Sequence, residues 1–283
     1  MKYITKNIYN TMQKSYPPLI FQVSSKVNNY SDELYNKLYS LKEKEYLKFC
    51  KKIKKVDMLK TLSLDENPKN IDGTPMTKEE IDNAEKSLKV FREEMMNNYV
   101  PYIYDIKKEI SNFKKGQKQK IKYLTRLLPK NILNEVADIR VLALGYITSK
   151  NKKAIEEYCN SNLQKVNQAF KKYEEYYKKT FSNEEDKIFE DNLHDSYVFD
   201  YIENNNNLEL NLNSIYSDIS KIIFEDYKVI KQDGNIENAY WLYNEIYKTD
   251  NGYELHILLD VNGKLISVII SFSKVRFIRN EYI

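Results

Sequence analysis

The hydrophobic repeat of this 283-residue chain changes period once, near residue 190, and that change constrains the fold more than any other feature. Before it, apolar residues recur at helical spacing; after it, they alternate every second position. In SDELYNKLYSLKEKEYLKFCKKIKKV (31–56), Leu34, Leu38, Leu41, Phe49, Ile53 and Val56 follow Ser31 as N-cap, with Asp32 and Glu33 in the first turn. Residues 57–76 hold Pro68, Gly73 and Pro75 without a sustained period, and read as a loop. Thr77 and Glu80 make a capping-box pattern that launches a helix to about Asn98. Further helices are expected at 102–114 and 117–128, then at 128–149 with Pro129 in its first turn, then at 149–181 capped by Ser149.

The last hundred residues read as strands. Leu208, Leu210 and Leu212 alternate with Glu209 and Asn211, and Ile266, Val268, Ile270 and Phe272 alternate in KLISVIISF. AYWLYNEIYK (239–248) and YELHILLD (253–260) flank an Asn-Gly step, a strong hairpin signal. Adding YVFDYI (197–202), KIIFEDYKVI (221–230) and VRFI (275–278) gives five to seven antiparallel strands in a meander. Helices followed by strands indicate an α+β fold, a helical region over 1–181 and a sheet region over 182–283.

The charges divide at the same place. Residues 1–181 carry 36 Lys+Arg against 22 Asp+Glu, a net of +14, and residues 182–283 carry 9 against 19, a net of −10. Of the 45 basic residues 40 are Lys, a hydrated point charge poorly suited to reading bases. The wealth of Lys, Asn, Ile and Tyr fits the coding bias of an AT-rich bacterial genome. No apolar run approaches the ~20 residues of a membrane span, and the N-terminus has no secretory h-region. Cys50 and Cys159 lie far apart with no CxxC pairing, so a reduced, cytoplasmic setting with no membrane contact is expected.

Catalytic signatures are few. LHDSYVFDYI (193–202) places His194 before Asp195, and the only other histidine is His256. A metal-dependent hydrolase on His194, Asp195 and His256 is conceivable, but holding an ion takes converging ligands. The plainer expectation makes His194-Asp195 the start of a strand, with Tyr197, Phe199 and Tyr201 on one side and Val198 and Ile202 on the other. His256 is then a solvent-facing imidazole opposite the core face of Leu255, Ile257 and Leu259. The chain has no GxGxxG, GxxxxGK[ST], GxSxG, HExxH or CxxC motif, so no catalytic residue and no cofactor is assigned. Both cysteines read as half-buried helical residues, and acidic pairs such as Glu184-Glu185 and Glu190-Asp191 as a solvated surface.

Two binding readings remain. Lys114, Lys115, Lys118, Lys120 and Lys122, among tyrosines and phenylalanines on helices, suggest contact with nucleic acid. ENAYWLYNEIY (237–247) instead suggests a protein partner: strict alternation puts Trp241, Tyr243 and Tyr247 on one face and Tyr240, Leu242 and Ile246 on the other. Such a strand is either covered on both sides or awaits a partner. Glu225, Asp226, Glu237 and Glu245 would add a field that attracts a basic partner.

The stretches MKYITKNIYNTMQ, LPKNILNEVADIRVLALGYIT, LHDSYVFDYI and IIFEDYKVIKQDG running into NAYWLYNEIYKTDNGYELHILLD resemble a family of cytosolic Gram-positive bacterial proteins known only as a domain of unknown function. The likeness spans the chain, with 57–127 resembling a variable helical insertion, and it implies no activity or site residues. HDSYV, LELNL and IIFEDY are also similar to the sheet of small immunity-type proteins encoded beside bacterial toxins. Together these imply a non-enzymatic interaction module, with an immunity-type inhibitor as one form, before nucleic-acid binding or hydrolysis.

Overall fold

The computed structural model describes residues 1–53, 67–69, 74–98, 102–182, 189, 193–204, 206–214 and 217–280. It is α+β: seven α-helices among the described residues precede an eight-stranded antiparallel sheet. The chain forms two compact units, Leu19–Lys152 and Met1–Pro18 with Lys153–Ile283. The compositional border at 181–182 and the division into units thus fall at different places.

The Leu19–Lys152 unit contains β1 (Gln22–Val23), α2 (Asp32–Ile53), α3 (Lys78–Asn98), α4 (Ile106–Leu127), α5 (Lys130–Leu133), α6 (Ile139–Ala143) and β2 (Tyr146–Ile147), while α1 (Lys6–Met12) belongs to the other unit. The caps lie largely where their residue types place them. Ser31 Oγ accepts the Leu34 N–H, and Thr77 and Glu80 exchange side-chain bonds to each other's backbone N–H. The expected helices at 102–114 and 117–128 are one helix, α4, begun by Asp105 and continuing through Gly116. A mid-helix glycine costs about 1 kcal/mol, and the buried face of Phe113, Gln117, Leu124 and Leu127 spans it. The expected helix over 128–149 breaks instead. Asp138 caps the short α6, and Gly145, at φ +89°, turns the chain into β2, which pairs in parallel with β1. The predicted loop at 57–76 lies largely outside the described residues.

The second unit holds α7 (Ser149–Thr180) from Lys153 onward, preceded by Thr148, whose hydroxyl rather than that of Ser149 accepts the Asn151 N–H. The strands follow: β3 (Tyr197–Asn204), β4 (Asn207–Asn213), β5 (Ile219–Glu225), β6 (Lys228–Gln232), β7 (Ala239–Thr249), β8 (Gly252–Val261), β9 (Lys264–Phe272) and β10 (Lys274–Arg279). Their order is β10-β5-β4-β3-β7-β8-β9-β6 rather than a simple meander. The stretch 221–230, expected as one strand, divides at Asp226, which takes φ +50°. Only Asp226 and Tyr227 separate β5 from β6, and only Ser273 separates β9 from β10. Across both breaks the pairing keeps its register, Glu225 opposite Lys274 and Lys228 opposite Ser271. The Ser273 N–H, donating to Glu225 O, bridges the gap. The two ends of the sheet are therefore joined through bent strands, and the pairing runs round a ring of six. Its interior is filled by Leu208, Leu210, Phe224, Trp241, Ile246, Leu255, Ile257 and Ile270, all buried.

Of the four register shifts in the sheet, the two in β3 and β7 bear on the site. The register shifts between Val198 and Asp200 and between Trp241 and Tyr243, leaving Phe199 and Leu242 as the extra residues. Val198 and Tyr201 consequently both meet the core, where strict alternation would separate them. Trp241, opposite Leu259, points into the core, while Tyr243 and Tyr247 lie on the other face with their partners Leu258 and Glu254. The expected single aromatic face of Trp241, Tyr243 and Tyr247 is thus divided by one inserted residue.

The outer face of β7 is covered within the unit by α7 and by the N-terminal segment. Tyr176 packs on Tyr247 and Phe170 on Tyr243, with ring centroids 5.3 and 5.4 Å apart. Glu245, 0% exposed, accepts the backbone N–H groups of Lys2, Tyr3 and Ile4 and the Tyr247 hydroxyl. Replacing Glu245 with Ala leaves those donors unpaired and should cost about 1–3 kcal/mol. Deleting residues 1–4 should remove the same interaction. In chemical denaturation, the double variant is then expected to lose much less than the sum of the two single losses.

Candidate functional site

β3 and β7 pair at only two positions, Tyr197 with Tyr240 and Val198 with Ala239. Two backbone bonds extend the contact: Asp195 N–H donates to Trp241 O, and Trp241 N–H donates to Ser196 O. Beyond this overlap the strands diverge. On the β7 side the gap opens into a cavity of about 750 Å³. On the β3 side, the edge from Phe199 to Asn204 pairs with no strand among the described residues.

Several segments of the unit build the cavity, among them Ile4 of the N-terminal segment and Phe189 between α7 and β3. α7 contributes Phe170, Tyr173, Glu174 and Tyr177; β7 contributes Leu242, Tyr243 and Asn244; Leu193 and His194 come from the turn before β3. Phe170 and His194 stand nearly perpendicular to the Tyr243 ring, at 73° and 72°, with centroids 5.4 and 5.1 Å away. The Tyr173 hydroxyl accepts the Ile246 N–H at 2.9 Å, satisfying an edge group of β7 that no strand reaches. Burial pushes the Tyr173 and Tyr243 hydroxyls above the ordinary phenol range, so both remain neutral. Trp241 Nε1 donates to Asn244 Oδ1 at 3.0 Å.

The residues singled out from the sequence have separate positions. His194 lies beside the cavity with Nδ1 3.1 Å from the Asp195 carboxylate, in a turn before β3 rather than inside a strand, and Asp195 takes φ +62°. His256 is not solvent-facing. It is 6% exposed on the covered face of β8, where Nε2 contacts Glu254 and the ring packs edge-on to Tyr247. His194 packs against Tyr243 and His256 against Tyr247, and no group of three or more His, Cys, Asp or Glu among the described residues is placed to hold a metal ion. Trp241 and Glu245 are 0% exposed and Tyr247 is also buried, so none of the three can touch a partner. Glu225 pairs with Arg276 at 2.6 Å, Asp226 accepts from the Ser273 hydroxyl, and Glu237 lies exposed before β7. Lys114, Lys115, Lys118, Lys120 and Lys122 are all exposed on α4. Cys50 and Cys159 are buried on their helices. The buried grip on residues 2–4 was not foreseen. Its one sequence signal is a glutamate flanked by aromatic and apolar residues in a strand.

Residues 94–270 match the family described as Protein of unknown function (DUF4085). The chain belongs to that family. The match takes in every cavity-lining residue except Ile4, and includes α4, within the stretch expected to be a variable insertion. It leaves out the opening MKYITKNIYNTMQ. No curated protein and no solved structure matches. Among the described residues no helix is long and apolar enough to cross a membrane.

His256 supplies a pH test of this buried face. Burial holds its pKa below the ordinary 6.5, outweighing the opposing contact with Glu254. Nδ1 has no hydrogen-bond partner among the described residues, so a proton there would be an unpaired buried donor. Below 6.5 the unfolded chain takes up a proton that the folded imidazole resists. Stability is therefore expected to fall as pH drops through that value, and His256→Gln should flatten this slope in thermal unfolding measured from about pH 7 to pH 5.

Proposed function

We propose that this protein is a non-enzymatic interaction module of the bacterial cytoplasm that receives an extended, basic segment of a partner protein along the open edge of β3. One observation carries the reading. Past Val198 this edge offers backbone groups without a strand partner among the described residues, while Phe199 and Ile202 stand 47% and 44% exposed. An unpaired edge is a template for strand addition, with main-chain bonds giving affinity and alternate side chains giving selectivity. Asp200 and Glu203 lie on the same strand, Glu237 precedes the strand opposite, and the region's net charge of −10 favours a basic segment. Tyr240, 50% exposed and packed against Tyr197, takes over the contact role expected of the buried Trp241 and Tyr247. An immunity-type inhibitor acting on a basic toxin is one such module, and the resemblance of the sheet to immunity-type proteins supports it by analogy.

The test starts with affinity purification from native cells. A partner recovered with the wild type should be lost with Phe199→Asp combined with Ile202→Lys, its affinity falling about thirtyfold or more. Asp200→Lys with Glu203→Lys should slow association most at low salt. A partner that binds all these variants as tightly as the wild type overturns the proposal.

A further inference from the structure

The cavity beside β7 shares no lining residue with Phe199–Asn204 of the open edge, and its chemistry points to a different ligand. Its lining includes five aromatic residues, Phe170, Tyr173, Tyr177, Phe189 and Tyr243, together with His194. Among the described residues the only carboxylate in the lining is Glu174, and no lysine or arginine is present there. An anion would therefore meet ring faces and a like charge, with no cation in the lining itself. A cation meets the opposite. Ring faces carry negative potential, and rings set at right angles surround a charge from several sides. Phe170 and His194, both nearly perpendicular to Tyr243, form two such corners. Asp195, beside His194, adds negative potential that reaches the Tyr243 hydroxyl. Glu174 pairs with Lys178, but both side chains are more than half exposed, so the pairing is screened by water and readily exchanged. The volume, about 750 Å³, suits a small organic molecule.

We propose that this cavity is a binding site for a small organic cation, an alkylammonium group enclosed by Phe170, Tyr173, Tyr177 and Tyr243 with Glu174 as its counter-charge. This site does not depend on the open edge of β3. Selectivity comes from charge rather than shape, so a neutral molecule of the same outline binds less well.

The molecule carries its own reporter. Trp241 is the only tryptophan, and its indole N–H is bonded to Asn244, which lines the cavity. Titrating the full chain with choline should change Trp241 emission saturably. The uncharged isostere 3,3-dimethylbutan-1-ol should bind about tenfold more weakly, and 3,3-dimethylbutyrate more weakly still. Phe170→Leu and Tyr243→Leu should each weaken choline by roughly threefold to thirtyfold with unchanged circular dichroism. Lys178→Ala, which frees Glu174, should tighten it. A capped trimethyllysine distinguishes the source of the cation. Tighter binding of choline marks a free small molecule, tighter binding of the capped residue marks a protein side chain, and either outcome upholds a cationic site. Phe199→Asp should leave the titration unchanged, which keeps this test separate from that of the β3 edge. Equal binding of choline, alcohol and acid overturns the proposal. So does the absence of any emission change and any calorimetric heat with choline up to about 10 mM. The ligand series is read on the wild type, so it decides the matter even if a variant fails to fold.

Discussion

A carboxylate that is taken out of water must be surrounded by donors and positive charge, and Glu245 imposes that requirement on the sheet-bearing unit, where it also faces the Met1 ammonium. Its side chain is 0% exposed, and no lysine or arginine pairs with it among the described residues. The donors are three consecutive backbone N–H groups at residues 2–4, drawn from more than 240 positions away in the chain, and the phenol of Tyr247. The N-terminal segment is thereby tied to β7, and a compact unit results that is discontinuous in sequence. The other unit meets the same constraint by the same means. Glu109 is buried and accepts from the Tyr46 hydroxyl at 2.8 Å and from Asn112. These bonds, the Tyr46 hydroxyl first, hold its pKa below the usual glutamate range. A chain rich in tyrosine has phenol donors to spare for buried carboxylates, which gives one physical use for the 25 tyrosines here.

The second constraint is the short overlap of β3 and β7. Every other neighbouring pair in the sheet shares at least four register positions, but this pair shares two. The bulged residues Phe199 and Leu242 lie just past the overlap, one on each strand. A bulge bends its strand and increases local twist, so the two strands leave each other where the extra residues occur. The gap then has two unlike halves. On one, α7 supplies a tyrosine hydroxyl to the β7 edge, and the space between helix and strand becomes the cavity. On the other, no described element takes the place of the missing strand.

The periodic features were legible from sequence because they depend on local chemistry. Ser31 and Thr77 act where their residue types predict, and Asn262-Gly263 turns β8 into β9 with both residues at positive φ. The turn before β8 instead falls on Asp250-Asn251 and leaves Gly252 paired with Thr249. The switch from helix to strand near residue 190 holds in the folded chain. What was hidden depends on pairs distant in sequence or on a single inserted residue. Alternation assigns Trp241 and Tyr243 to one face, and only the register against β8 reveals that Leu242 separates them. A glutamate on a strand reads as solvated because most are; nothing in the NEIY motif announces that residues 2–4 will cover it. The ring of strands was equally invisible. KIIFEDYKVI has no glycine or proline to mark a bend, and Asp226 supplies the positive φ that such a bend needs.

An open strand edge is a hazard to any sheet protein, and its side chains show how the hazard is handled. Two copies of the β3 edge approaching each other would bring Asp200 and Glu203 against their own kind, in a region already strongly acidic. Repulsion of that sort discourages self-pairing without blocking the backbone groups. It does not act on a basic strand, for which the same charges are attractive. Phe199 and Ile202 would be costly to leave in water if the edge served nothing, and a proline or a covering loop would remove the hazard more completely. Acidic guards beside exposed apolar residues therefore favour a basic strand over a second copy of the same edge.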